Sequence, residues 1–86
     1  MFLEVSKAKY KGEYKIDLTF NNKDSMIVDL SEQLEGEIFI PLKDLSFFKL
    51  FSIHYNTIEW SNGADFAPEF LYELGQKQAS LNKISA

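Results

Sequence analysis

The chain has 86 residues, a length that suits a single domain, and 45% of them are hydrophobic, enough for a core without a metal or disulfide. Nine lysines and no arginine face thirteen acids, giving a net charge of −4, so direct nucleic-acid binding by this chain alone is not expected. The absence of cysteine excludes disulfides, thiolate nucleophiles and cysteine-ligated zinc. We expect a cytoplasmic protein without a membrane segment, because no apolar signal region or membrane-length apolar run occurs.

The N-terminal third predicts three antiparallel strands in a meander. Apolar and polar residues alternate over residues 14–20 and again over residues 25–30, which is the period of half-buried strands. The segment NNKD at 21–24 has the composition of a hairpin turn, but its lysine is a poor second residue for a type I′ turn, so a longer turn is expected. The alternation over residues 3–10 changes phase, which predicts a bulge in the first strand.

The middle of the chain predicts a short helix followed by a second hairpin. Pro41 suits the first helical position, where its missing N–H has no partner to lose. Apolar residues then recur at three-residue spacing as far as Phe48, which predicts one or two helical turns resting on the sheet. Residues 51–60 alternate on both sides of Asn56-Thr57, which predicts two strands joined by a two-residue turn. Trp60 shares a strand face with Ile58, which favours a place in the core over a place on a contact surface.

The C-terminal part predicts a second helix over residues 67–75. Asn62-Gly63 ends the last strand, because glycine readily adopts positive φ, and the helix follows with Phe70, Leu71 and Leu74 as its apolar stripe. Gly75 is a candidate helix end. We therefore expect one α+β domain at residues 1–75, with a mostly antiparallel five-stranded sheet and two helices packed on it, and a frayed or disordered tail at residues 76–86.

Three segments resemble the bacterial family named domain of unknown function 2442: VSKAKYKGEYKIDLTFNN, GEIFIPLKDLSFFKLF and IEWSNGADFAPEFLYE. The resemblance covers about residues 3–74 and implies an α+β fold with helices packed on an antiparallel sheet. Known members are often encoded beside a second small protein, in an arrangement similar to a toxin–antitoxin pair, and some carry a helix-turn-helix extension that this chain lacks. The resemblance thus implies a protein partner, the neighbouring gene's product, and supplies no catalytic residues.

The sequence offers no catalytic or cofactor-binding constellation. His54 is the only histidine, so no metal site with histidine spacing is available, and it is interpreted as an ordinary strand histidine on the polar side. The four glycines are isolated, so neither a dinucleotide-binding motif nor a P-loop is present. We expect a protein that is not an enzyme and holds no cofactor or metal.

The candidate binding residues lie in the C-terminal helix and just before it. Asp65, Glu69 and Glu73 recur every four residues, which places them on one helix face, and Tyr72 beside them is a candidate interface anchor. They form either a protein-binding surface or an ordinary solvated face.

Three hypotheses follow for the function of the chain. The first is a protein-interaction module, the regulatory half of a two-gene system. The second is a DNA-associated transcriptional regulator acting through its lysine-rich N-terminal hairpin, and the third is an undetected enzyme. The sequence also leaves a homo-oligomer open.

Overall fold

The computed structural model describes the backbone of residues 2–85 and the side chains of residues 2–81. The fold is α+β, as predicted. Five strands and two α-helices occur in the described chain: β1 (Val5–Gly12), β2 (Lys15–Phe20), β3 (Ser25–Asp29), α1 (Leu45–Phe48), β4 (Ser52–His54), β5 (Thr57–Glu59) and α2 (Pro68–Ser85). Two 3-10 helices connect β3 to α1, at Ser31–Gln33 and Glu37–Lys43.

The first sheet is an antiparallel meander in the order β1-β2-β3, and the local predictions for it are confirmed. Its register shifts twice in β1, between Val5 and Lys7 and again near Gly12, which is the predicted irregularity of that strand. The turn from β2 to β3 is longer than a two-residue turn: the Lys23 N–H donates to the Phe20 carbonyl at 2.9 Å, and Lys23 itself adopts φ +75°. This arrangement accommodates a lysine where a type I′ turn favours glycine.

The prediction of a single five-stranded sheet is wrong. Strands β4 and β5 form a separate two-stranded sheet beside β1. The two sheets meet where the Val5 N–H donates to the Asn56 carbonyl at 2.8 Å, at the tip of the second hairpin. The physical reason is that alternation identifies the buried face of a strand but not the strand that pairs with its edge.

The turn of the second hairpin lies one residue earlier than predicted. It consists of Tyr55 and Asn56, both with positive φ (49° and 70°), as a type I′ turn requires. Thr57 therefore begins β5 and is buried, and its hydroxyl donates to the Phe66 carbonyl at 2.5 Å. This bond ties β5 to the segment that leads into α2.

The core lies between the inner face of the first sheet and the segments from 34 to 71 that fold over it. Trp60 is buried as predicted, with its Nε1–H donating to the Phe48 carbonyl at 2.6 Å, so the indole is satisfied without water. The buried apolar side chains are Val5, Ile16, Leu18, Phe20, Val28, Leu30, Leu34, Leu42, Phe48, Ile58, Trp60, Ala64, Phe66 and Leu71.

Helix α2 begins at Pro68, close to the predicted start, but it does not end at Gly75. It continues to Ser85, so residues 76–85 of the predicted tail are helical, and residue 86 lies outside the described chain. Gly75 serves close packing rather than termination: a Cβ at this position would come within 2.8 Å of Met26 Cγ and 3.1 Å of Val28 Cγ2. The missing side chain lets the helix backbone approach β3.

A glutamine side chain fastens α2 to the sheet beyond Gly75. The Asp29 N–H donates to Gln78 Oε1 at 2.9 Å, and Gln78 Nε2 donates to the Asp29 carbonyl at 2.8 Å. The amide thus satisfies both backbone groups of Asp29, as a neighbouring strand would. This contact closes part of the β3 edge and fixes the direction of the second half of α2.

Candidate protein-binding surface on the C-terminal helix

The predicted acidic residues are all exposed, but only two of them lie in the helix. Glu69 and Glu73 lie one turn apart on α2. Asp65 precedes the helix and forms an isolated antiparallel bridge with Glu59 at the side of β5. The structure therefore brings Glu69 and Glu73 together on one helix face and places Asp65 in the extended segment before it.

Tyr72 is half-buried and makes its contacts inside the molecule. Its ring packs edge-on against Phe20, with centroids 5.1 Å apart, and its hydroxyl donates to the Asp24 carboxylate in the turn between β2 and β3. This hydrogen bond raises the pKa of Tyr72, because ionisation would remove the donated proton beside a carboxylate. No local pattern predicts this contact, since its two partners are 48 residues apart.

An apolar strip that the sequence reasoning missed runs beside the two acids. Phe70 is 40% exposed, Leu74 half-buried and Leu81 58% exposed, and Lys77 lies between the two leucines. We call these four residues the α2 flank. A shallow groove of about 290 Å³ is lined by Phe70, Glu73, Leu74 and Lys77.

The helix face that packs on the sheet differs from the predicted stripe. Leu71 and Gly75 are buried, and Leu74 is half-buried and packs against the core as predicted, although it also lines the groove. Phe70, predicted to share the core stripe with Leu71, is 40% exposed. The sequence pattern that indicates the α2 flank is the spacing of four, three and four residues from Phe70 to Leu81. A helix that ends at Gly75 would contain only Phe70 and Leu74 of the flank, so the pattern was not recognised.

Stacked aromatic rings hold Phe70 in place. The Phe70 ring stacks on Phe66, with centroids 5.8 Å apart and an interplanar angle of 12°, and Phe66 stacks on Phe39 at 4.9 Å and 20°. Phe66 is buried, so this column connects the exposed ring to the core. Phe70 is therefore an exposed ring whose orientation is fixed by its stack on Phe66.

Comparison with known proteins places the chain in a family. The family described as "Protein of unknown function (DUF2442)" matches residues 5–77. The chain belongs to this family. The matched region of this DUF2442 chain includes Phe70, Glu73 and Leu74, whereas Leu81 lies beyond it. No curated protein and no solved structure matches the chain.

The only histidine of this DUF2442 chain lies on β4, the exposed strand of the second hairpin. His54 Nδ1 is 3.0 Å from Glu59 Oε1, its side chain is 55% exposed, and its ring lies against that of Tyr55 with centroids 4.1 Å apart. Among the described residues, no group of three or more histidine, cysteine or acidic side chains can hold a metal ion. No helix within the described part has the length and apolar character needed to cross a membrane.

The lysines of the first hairpin share a face with acids. Lys7 and Lys9 lie on the outer face of the first sheet, opposite Thr19 and Asp17 of β2. Lys15 is on the same face and lies 3.9 Å from Glu13, measured between Nζ and Oε1. The outer face therefore carries both signs of charge, with lysine concentrated on β1.

Proposed function

We propose that this DUF2442 chain is a non-enzymatic module that binds a protein partner through the α2 flank. One observation carries the proposal: the exposed Phe70, fixed by its ring stack, opens onto a groove beside Leu74 and is bordered by Glu69 and Glu73. An exposed aromatic anchor beside an apolar groove, with charged residues at the rim, is the usual anatomy of an interface.

The proposed partner is the product of the neighbouring gene, and the proposed role is the regulatory half of a toxin–antitoxin-like pair in the cytoplasm. The support is the gene arrangement that the family resemblance implies. Tyr72 acts in this proposal through its contact with Asp24, which holds α2 in place beside the interface. Asp65 contributes charge at the start of the same surface.

Binding to the neighbouring gene's product tests the proposal. The two purified proteins are titrated by calorimetry, first with the wild-type chain and then with the double variant Glu69→Lys and Glu73→Lys. The matched control is Glu32→Lys with Glu35→Lys, two exposed acids near the first 3-10 helix, which also brings the net charge from −4 to zero. We expect the α2 variant to bind at least about tenfold more weakly than the control, because only it places like charges at the interface.

Two results contradict the proposal. If the wild-type chain does not bind the partner at concentrations of about 100 μM, the interaction module is the wrong function. If both double variants weaken binding equally, the loss reflects net charge and the α2 flank is not the surface.

The alternative function is a DNA-associated regulator that uses the N-terminal hairpin, and the lysines on the outer face of β1 favour it. It predicts weak DNA binding whose affinity falls steeply with salt and drops further in Lys7→Gln with Lys9→Gln. Binding that is insensitive to salt, or to this pair of substitutions, contradicts it.

A further inference from the structure

The spacing and charge of the α2 flank residues indicate which kind of secondary structure the partner presents to them. Resting on the proposed function, we infer that the partner presents a basic amphipathic α-helix, which packs along Phe70, Leu74, Lys77 and Leu81. Each part of this inference comes from a different feature of α2.

The spacing of the flank residues indicates a helical partner. The steps from Phe70 to Leu74, Lys77 and Leu81 are four, three and four residues, which is the repeat of a helix–helix seam. At about 1.5 Å per residue, the four positions span about 17 Å, or three helical turns. In the sequence the same spacing next reaches Ile84. A helix of three to four turns would cover this seam along its whole length.

The seam lies beside the face that packs on the sheet, and of its residues only Leu74 also packs against the core. Leu71 and Gly75 are buried against the core, and Gln78 is bonded to Asp29 of β3. The flank therefore stays available while α2 remains docked, and a partner need not displace any part of the fold. Binding by rigid-body contact follows from this arrangement.

Charge selects a basic partner over a second copy of this chain. Glu69 and Glu73 border the seam, and Lys77 is the only cation among the described side chains of α2. Two copies paired through the flank would bring four glutamates and only two lysines to one interface, and this excess of negative charge opposes self-association. A helix with lysines or arginines beside its apolar stripe is complementary.

Lys77 adds a requirement for orientation. A lysine at a single seam position lowers affinity but fixes the register, because its charge needs a partner group. The complementary helix therefore carries one acidic residue that faces Lys77, and basic residues at the other positions beside its apolar stripe.

Two synthetic helical peptides of about 15 residues provide the test, since that length covers the seam. Both carry leucines at the seam positions and one glutamate to face Lys77, and they differ only in having lysine or glutamate at the flanking positions. Each is titrated into the isotope-labelled full chain while the backbone amide shifts are followed. We expect the lysine peptide to bind about tenfold more tightly, with shifts concentrated at residues 66–81.

Variants separate the seam from non-specific attraction. Leu81→Ser should reduce binding of the lysine peptide at least about fivefold, because a seam contact is lost, and its 58% exposure leaves the fold intact. Leu50→Ser, at a leucine that is 66% exposed in a different part of the chain, is the matched control and should bind like wild type. Glu69→Lys with Glu73→Lys should remove the preference for the lysine peptide.

Three results overturn the inference: equal affinity for the two peptides, shifts centred outside residues 66–81, or concentration-dependent dimers that Leu81→Ser dissolves. The proposed function is judged separately by binding of the neighbouring gene's product. If that protein binds and Leu81→Ser has no effect, the interaction module stands and the basic helix does not.

Discussion

Replacing Gly75 by alanine tests whether α2 is held against β3 by close packing. In an open helix this change stabilises the fold by about 1 kcal/mol, because alanine has the higher helix propensity. Here the added Cβ would come within 2.8 Å of Met26 Cγ and 3.1 Å of Val28 Cγ2. Overpacking of this kind costs about 1–3 kcal/mol. The two effects leave a net destabilisation of about 1 kcal/mol.

Urea unfolding of the wild-type and Gly75→Ala chains measures this difference in free energy, and thermal unfolding measures the accompanying change in Tm. For a domain of this size, about 1 kcal/mol corresponds to a fall in Tm of about 4–8 °C. Gln76→Ala and Gln76→Gly, at the exposed neighbouring position, give the propensity difference without the contact. Subtracting the alanine–glycine difference at position 76 from that at position 75 gives the free energy cost of overpacking at Gly75.

A double-mutant cycle identifies the contact that causes the loss. In a Met26→Ala background the alanine at position 75 meets Val28 but no longer meets the methionine, so we expect most of its cost to disappear, a coupling of about 1–2 kcal/mol. If Gly75→Ala instead stabilises the chain by about 1 kcal/mol, as in an open helix, the packing of α2 described above is wrong.

The remaining predictions concern the bonds that anchor α2 and the core. Gln78→Ala should lower the free energy of unfolding by about 1–2 kcal/mol in urea, because both bonds to the Asp29 backbone are lost; an unchanged midpoint contradicts it. Trp60→Phe should lower the free energy of unfolding by about 2 kcal/mol, because the buried Phe48 carbonyl loses its donor. The buried indole of the wild-type chain should show blue-shifted fluorescence, and red-shifted emission contradicts its burial. The hydrogen bond to Asp24 raises the pKa of Tyr72, so the stability that this contact contributes is present below pH about 10 and is lost as the pH rises through the folded pKa. Asp24→Asn should therefore shift the ionisation of one tyrosine to lower pH in an ultraviolet titration. An unchanged titration curve contradicts the contact.

The parts of the fold that were predictable are those that depend on neighbours in sequence. The alternation in β2 and β3 correctly separated buried from exposed residues, and the composition of the turn between them correctly predicted a longer loop. The burial of Trp60 and the start of α2 near Pro68 followed from similarly local signals.

The errors concern contacts between distant residues. Separation of the second hairpin from β1 depends on edge pairing, for which side-chain alternation carries no information. The prediction that α2 ends at Gly75 is wrong because glycine occurs both at helix ends and where a helix packs closely on a strand. The close contact with Met26, which identifies the second case, is present only in the folded chain. The same holds for the candidate surface. Of the three acids predicted to share a helix face, Glu69 and Glu73 do so and Asp65 precedes the helix. The α2 flank is displayed only by the helix at its full length.

The α2 flank is the proposed interface between this DUF2442 chain and its partner. The most direct measurement is a map of backbone amide shifts in the labelled chain, saturated with the neighbouring gene's product. We expect the largest changes at residues 69–81, with little change at Lys7 and Lys9 on the outer face of the sheet. Changes centred on those lysines, or none at saturation, would contradict it.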